Sequence, residues 1–145
     1  MKRLKVSENF YLDEFVCPEV YNKFGFNSQW FIQKELITIC QFIRTHINKP
    51  LVINNWFNGG NYAYSGLRPL SGGVGAFNSL HRYGAAVDIK VQGRTSAQVY
   101  SFVKEHWEAL NKIGLTTLEN IKHTPTWVHL DCRNTTNNEL LIVNP

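Results

Sequence analysis

The chain has 145 residues, 43% hydrophobic and 18% charged, with a formal net charge of +4 and an isoelectric point near 9.0. That is the composition of one folded domain with a real core, and it argues against intrinsic disorder. No apolar run approaches the roughly 20 residues of a membrane span, and residues 1–9 are basic with no apolar stretch behind them, so no signal peptide is expected.

The basic excess favours an acidic partner such as nucleic acid, anionic lipid or bacterial cell wall. Lysines and arginines are scattered rather than gathered in a tract, so neither nucleic acid nor membrane is expected as a partner. Cys17, Cys40 and Cys132 are odd in number and far apart. They read as small, reduced, buried residues, not as a disulfide framework or a cysteine-rich zinc site.

Residues 9–26 are rich in aromatics, and a short helical turn at 12–16 should stop before Pro18. Asn27 or Ser28 can cap a helix over 28–47, whose apolar residues (Trp30, Ile32, Leu36, Ile37, Ile39, Cys40, Ile43, Ile47) recur with helical period. Pro50 bars its continuation, and 51–55 reads as a strand. Residues 56–80 form a long loop holding Gly59, Gly60, Gly66, Gly72, Gly73 and Gly75, with Arg68 as its one charged residue. A loop of this length in a small domain is usually functional.

Residues 85–91 form a strand, with Val87, Ile89 and Val91 on one face and Ala86, Asp88 and Lys90 on the other. Thr95 and Gln98 have capping-box spacing for a helix at 96–112, and Gly114 is its natural stop. Residues 115–119 and 126–132 read as two strands joined by a short loop, and 140–143 as an edge strand. Strands and helices do not alternate regularly. The expected fold is therefore a single α+β domain over 1–145, with a mainly antiparallel central sheet flanked by helices.

The chemistry concentrates in two places. His81 lies just before the strand that carries Asp88. Far downstream, His129 and Asp131 share one face of another strand, while Val128, Leu130 and Cys132 face the core. If the two strands are neighbours, two imidazoles and a carboxylate converge. That donor set suits zinc with one position open, a catalytic type of site that acidifies water and polarises a carbonyl. His46, His106 and His123 read as surface residues.

The string Ser79-x-His81-x-x-Gly84-x-Ala86-x-Asp88, followed by His129-x-Asp131, resembles the zinc murein peptidases. These comprise D-alanyl-D-alanine carboxypeptidases, D-Ala-D-Ala dipeptidases and the L-alanyl-D-glutamate endopeptidases of phage endolysins, which share the fold of the hedgehog signalling domain. Phe10-x-Leu12-x-Glu14-Phe15 is similar to the N-terminal segment of the phage-type branch, and Ser65-Gly66-Leu67-Arg68 to the family's substrate motif.

The resemblance implies a Zn2+ ion held by His81, Asp88 and His129. Arg68 would bind a substrate carboxylate or the developing oxyanion, Ser79 would hydrogen-bond the substrate or orient the loop, and Asp131 would orient His129 or bind near the metal. In much of the family a carboxylate three residues before the last histidine is the general base. Here that residue is Thr126, which cannot serve at neutral pH. Glu119 is the expected replacement, since an antiparallel pairing of its strand with that of His129 brings it level with the site; Asp131 is the competitor.

The resemblance thus implies a monomeric zinc metallopeptidase, a hydrolase acting on the peptide of bacterial peptidoglycan. Such an enzyme would be made in the cytoplasm and reach the wall through phage lysis or on a virion. The alternatives are a zinc-containing wall-binding or phage structural module without activity, favoured by Thr126, and a metal-free interaction protein.

Overall fold

The computed structural model describes residues 2–136 and 138–145. Its centre is one sheet of five strands: β1 (Leu51–Val52), β2 (Ala86–Val91), β3 (Thr117–Glu119), β4 (Val128–Asp131) and β5 (Leu141–Val143). The spatial order is β1-β2-β4-β3-β5. All neighbouring pairs are antiparallel except β3 and β5, which are parallel. The α+β class and the mainly antiparallel sheet are therefore as expected, and the tail does form an edge strand. The chain reverses after β4, so it meets β3 running in the same direction.

Alternation decides which side chains meet. Val87, Leu130 and Leu118 align across β2, β4 and β3 on one face and join a single apolar cluster with Leu36, Ile39, Ile43, Val99, Val103 and Leu110 from the helices. Fully burying a side chain of this size stabilises by roughly 1.5–3 kcal/mol, so this cluster locks the register. A slip of one residue would turn every one of these side chains outward. On the opposite face, Asp88 pairs with His129 and Ala86 with Asp131. Thr117 opposite Asp131 and Leu118 opposite Leu130 carry Glu119 to the level of His129. Both faces of β4 are buried, His129 and Asp131 included, and Cys132 is only half-buried against the core.

The helices are α1 (Pro18–Phe24), α2 (Lys34–Ile47), α3 (Ser96–Glu105) and α4 (Trp107–Lys112). They differ from the expected ones in three ways. The 3-10 turn at Leu12–Glu14 closes at Phe15, before Pro18 is reached, and Pro18 opens α1, because its missing N–H costs nothing at a first helical position. The helix expected over 28–47 is a 3-10 stretch, Gly25–Phe31, and then α2. Extended backbone at Ile32 (φ −106°, ψ 131°) separates them, and the Gln33 N–H is donated to the Gly84 carbonyl (2.9 Å). Ser28 is fully buried and caps nothing; its hydroxyl donates to the Gly25 carbonyl.

The helix expected over 96–112 breaks at His106. This ring is half-buried, stacks on Phe102 and shares a hydrogen bond with the Phe102 carbonyl. The Thr95–Gln98 capping box is present in full. Strand 51–55 shortens to two residues because Asn54 is used elsewhere. Its N–H donates to the Glu14 carbonyl, its side-chain amide donates to the Val16 carbonyl, and its Oδ1 accepts from the Ser65 N–H. This buried side chain ties the N-terminal segment to the glycine-rich loop.

Candidate metal centre

His81 sits on a 3-10 turn, Leu80–Tyr83, that ends at Gly84 with φ +64°. A Cβ at Gly84 would lie 1.8 Å from the Phe31 carbonyl oxygen, so the turn docks against residues 31–33 only because the residue is glycine. The His81 imidazole is 3% exposed. Its Nδ1 donates to the Gly66 carbonyl at 3.0 Å, which leaves Nε2 facing Asp88 Oδ1 at 3.3 Å. The Arg68 N–H in turn donates to the His81 carbonyl, and the Asp88 N–H to the Ser65 carbonyl. Residues 65–68 are thereby laced to both sides of the site.

His129 completes the group from β4. Its Nδ1 lies 2.9 Å from the same Asp88 oxygen, and its Nε2 donates to Asp131 Oδ2 at 3.1 Å. One ligand atom each from His81, Asp88 and His129 all lie within 4.8 Å of one another, a group able to hold a metal ion. Asp131, fully buried, also accepts two hydrogen bonds from the Arg133 guanidinium, at 2.8 and 2.6 Å. It is thus committed to both His129 and Arg133.

The electrostatics follow from this packing. Burial alone would raise the Asp88 carboxyl; hydrogen bonds and charge from His129 and His81 outweigh it and hold the group well below the usual carboxylate range. Burial disfavours the His129 imidazolium, yet hydrogen bonds to Asp131 and Asp88, with the charge of Asp88 and Glu119, push it up to about 9.

A cleft of about 480 Å³ lies over the group, lined by Arg68, Ser79, His81, Asp88, Glu119 and His129 among others. Arg68 has no acidic neighbour in sequence, but its Nη2 is 3.3 Å from Asp88 Oδ2 and its Nε donates to the Tyr64 carbonyl. Gly75 packs so closely on the guanidinium that a Cβ there would come within 2.4 Å of Nη1. Ser79 lines the cleft and starts the His81 turn through its backbone; its hydroxyl caps nothing. Thr126 is exposed and lies outside the lining. The structure thus gathers six of the singled-out residues in one cleft, with Asp131 behind His129.

The Gly66 carbonyl and Asn54 were not legible in the sequence. The first is a backbone group inside an otherwise recognisable motif. The second is an ordinary loop asparagine until its three partners are known.

Comparison with known proteins gives no match: no family profile, no characterised protein and no solved structure is significantly similar to this chain. Among the described residues no helix is long and apolar enough to cross a membrane.

Proposed function

We propose that the chain is a zinc-dependent peptidase that cuts the peptide stem or cross-link of bacterial peptidoglycan, on a fold of the murein peptidase and hedgehog type. One observation carries this reading. Each histidine has its outer ring nitrogen tied to an acceptor, Gly66 O or Asp131, so that both inner nitrogens converge on one Asp88 oxygen. Second partners of this kind fix the tautomer and orientation of metal-binding imidazoles. Two nitrogens and a carboxylate oxygen fit zinc, and His81, Asp88 and His129 would hold it. When bound, such an ion supplies Lewis acidity toward a carbonyl and acidifies water.

The chain's own residues supply the rest. Glu119 stands level with His129, accepts a proton from the attacking water and returns it to the leaving amine. Asp131 cannot take this part, because its oxygens are held by His129 and Arg133. Arg68, in the same cleft, holds a substrate carboxylate or the charge that develops on the carbonyl oxygen. The net positive charge favours approach to an anionic wall.

The test is digestion of purified peptidoglycan sacculi by zinc-loaded protein, followed by product masses. New peptide termini that disappear with a chelator support the reading and name the bond. Stoichiometric zinc without cleavage of any wall preparation would replace it by a binding module.

A further inference from the structure

Helices α2 and α3 end on the same pattern, Phe42-Ile-Arg-Thr-His46 and Phe102-Val-Lys-Glu-His106. Residues four apart share a helix face, and the two copies adopt the same geometry. His46 stacks on Phe42 with ring centroids 3.9 Å apart, and its Nδ1 donates to the Phe42 carbonyl at 2.8 Å. His106 stacks on Phe102 at 4.0 Å, and its Nδ1 donates to the Phe102 carbonyl at 2.9 Å. A carbonyl oxygen only accepts, so each Nδ1 carries a proton and each neutral ring keeps its lone pair on Nε2. That nitrogen is turned away from the helix's own backbone, and among the described residues neither Nε2 has a hydrogen-bond partner.

Stacking and capping account for each ring by itself, but they do not require the two copies to meet. The His46 and His106 centroids lie 6.2 Å apart, and Phe42 reaches His106 at 6.1 Å. With metal–nitrogen bonds of about 2.1 Å, two imidazoles on one ion have centroids roughly 5–6.5 Å apart, from a tetrahedral to a linear angle. The observed separation falls in that range. His46 is exposed and His106 half-buried, so the pair is open to solvent. Both rings stand at helix C-terminal ends, where the macrodipole favours a cation. A pocket of about 500 Å³ adjoins them, lined by His46, Phe102, Arg94 and Glu105 among others.

We infer that His46 and His106 form a second cation site, which takes a divalent transition metal of the imidazole-binding class (zinc, nickel or copper) and clamps the ends of α2 and α3 together. Water fills the remaining positions, because the one group of three ligand-type side chains within 4.8 Å among the described residues is that of His81, Asp88 and His129. The two sites are separate. Apolar residues of α2 and α3 pack on the core face of the sheet, away from Asp88 and His129, and the two pockets share no residue. The inference does not depend on the peptidase reading.

The experiment is calorimetric titration of the full chain with zinc chloride, with nickel-induced broadening of the histidine ring signals in proton NMR beside it. Two equivalents of zinc are expected, the second bound at least tenfold more weakly. His46→Ala and His106→Ala should each lose the second and keep the first, and His123→Ala should keep both. In the parent chain, which needs no substitution, nickel should broaden the His46 and His106 signals together and leave His123 sharp. Mg2+, which takes oxygen ligands, should leave both signals unmoved. Retention of the second equivalent by His46→Ala or by His106→Ala overturns the inference, as does broadening of only one of the two rings. So does a zinc-induced dimer in sedimentation that His46→Ala abolishes, since the ion would then bridge two copies. A single equivalent that His129→Ala removes also overturns it. A single equivalent that His46→Ala removes leaves this inference standing and takes zinc away from the peptidase reading.

Discussion

The Nε2 of His129 donates to the carboxylate of Asp131 at 3.1 Å, although the two residues are neighbours on one face of one strand. Arg133 holds the same carboxylate from the other side, so the imidazole is oriented by a buried anion that cannot turn away. Asp131→Asn should therefore lower metal affinity by roughly 10–100-fold, as loss of such a partner does. His129→Ala should abolish stoichiometric binding. Elemental analysis and calorimetric titration with zinc check both, and full zinc retention by His129→Ala would remove the ligand assignment.

Glu119 and His129 stand side by side because β3 and β4 pair with Leu118 opposite Leu130. Glu119→Gln keeps the shape and removes the base. It should bind zinc as the parent does and lose at least about a hundredfold in rate, a typical contribution of a general base. The measure is release of new amino termini from sacculi. An active Glu119→Gln beside a dead, zinc-replete Asp131→Asn would exchange the two roles.

Arg68 makes an ion pair with Asp88 and a hydrogen bond to the Tyr64 carbonyl, so it does more than an ordinary loop arginine. Arg68→Ala should cost stability by about 1 kcal/mol for the lost hydrogen bond and leave zinc stoichiometry unchanged. Turnover should fall by at least about tenfold, since a charge at the reacting carbonyl is gone. Steady-state kinetics beside a melting curve separates these effects.

Gly84 is the junction of the fold and the site. Gly84→Ala combines a left-handed backbone with a Cβ 1.8 Å from the Phe31 oxygen. It should destabilise by clearly more than about 1 kcal/mol and weaken zinc binding, because the His81 turn must lift. Denaturant midpoints and zinc titration test this. A parental midpoint would mean that the turn does not dock as described.

Burial pushes the Cys17 thiol up to about 11, Cys132 up to about 12 and Cys40 further in the same direction. A thiol raised in the folded state favours folding fully while it is protonated in both states. The unfolded chain gains by ionising above about pH 8.5, so this stability is lost as pH rises through 9 toward 11–12. Urea midpoints at pH 7, 9.5 and 10.5 should fall, and the fall should be shallower when the three cysteines are replaced by alanine.

Local rules carried much of this protein in its sequence. Period-2 alternation at 86–91 and 128–131 already separates Val87, Ile89 and Leu130 from Asp88 and His129, because a strand has only two faces. The Thr95–Gln98 cap follows from spacing alone, whereas the expected antiparallel pairing that lifts Glu119 to His129 takes its register from Leu118 opposite Leu130 in the folded sheet. The break at Ile32 did not follow from spacing, since a helical period persists through it and only the Gly84 carbonyl, some fifty residues on, draws the Gln33 N–H out of the helix. Nor did Asn54, the Gly66 carbonyl behind His81 or the Arg68–Asp88 pair, each a contact between segments far apart in the chain. Trp30 falls on the apolar face expected over 28–47, and only the tertiary structure leaves it exposed beside Leu70 and Tyr83, because burial is a property of the packed chain and not of the residue.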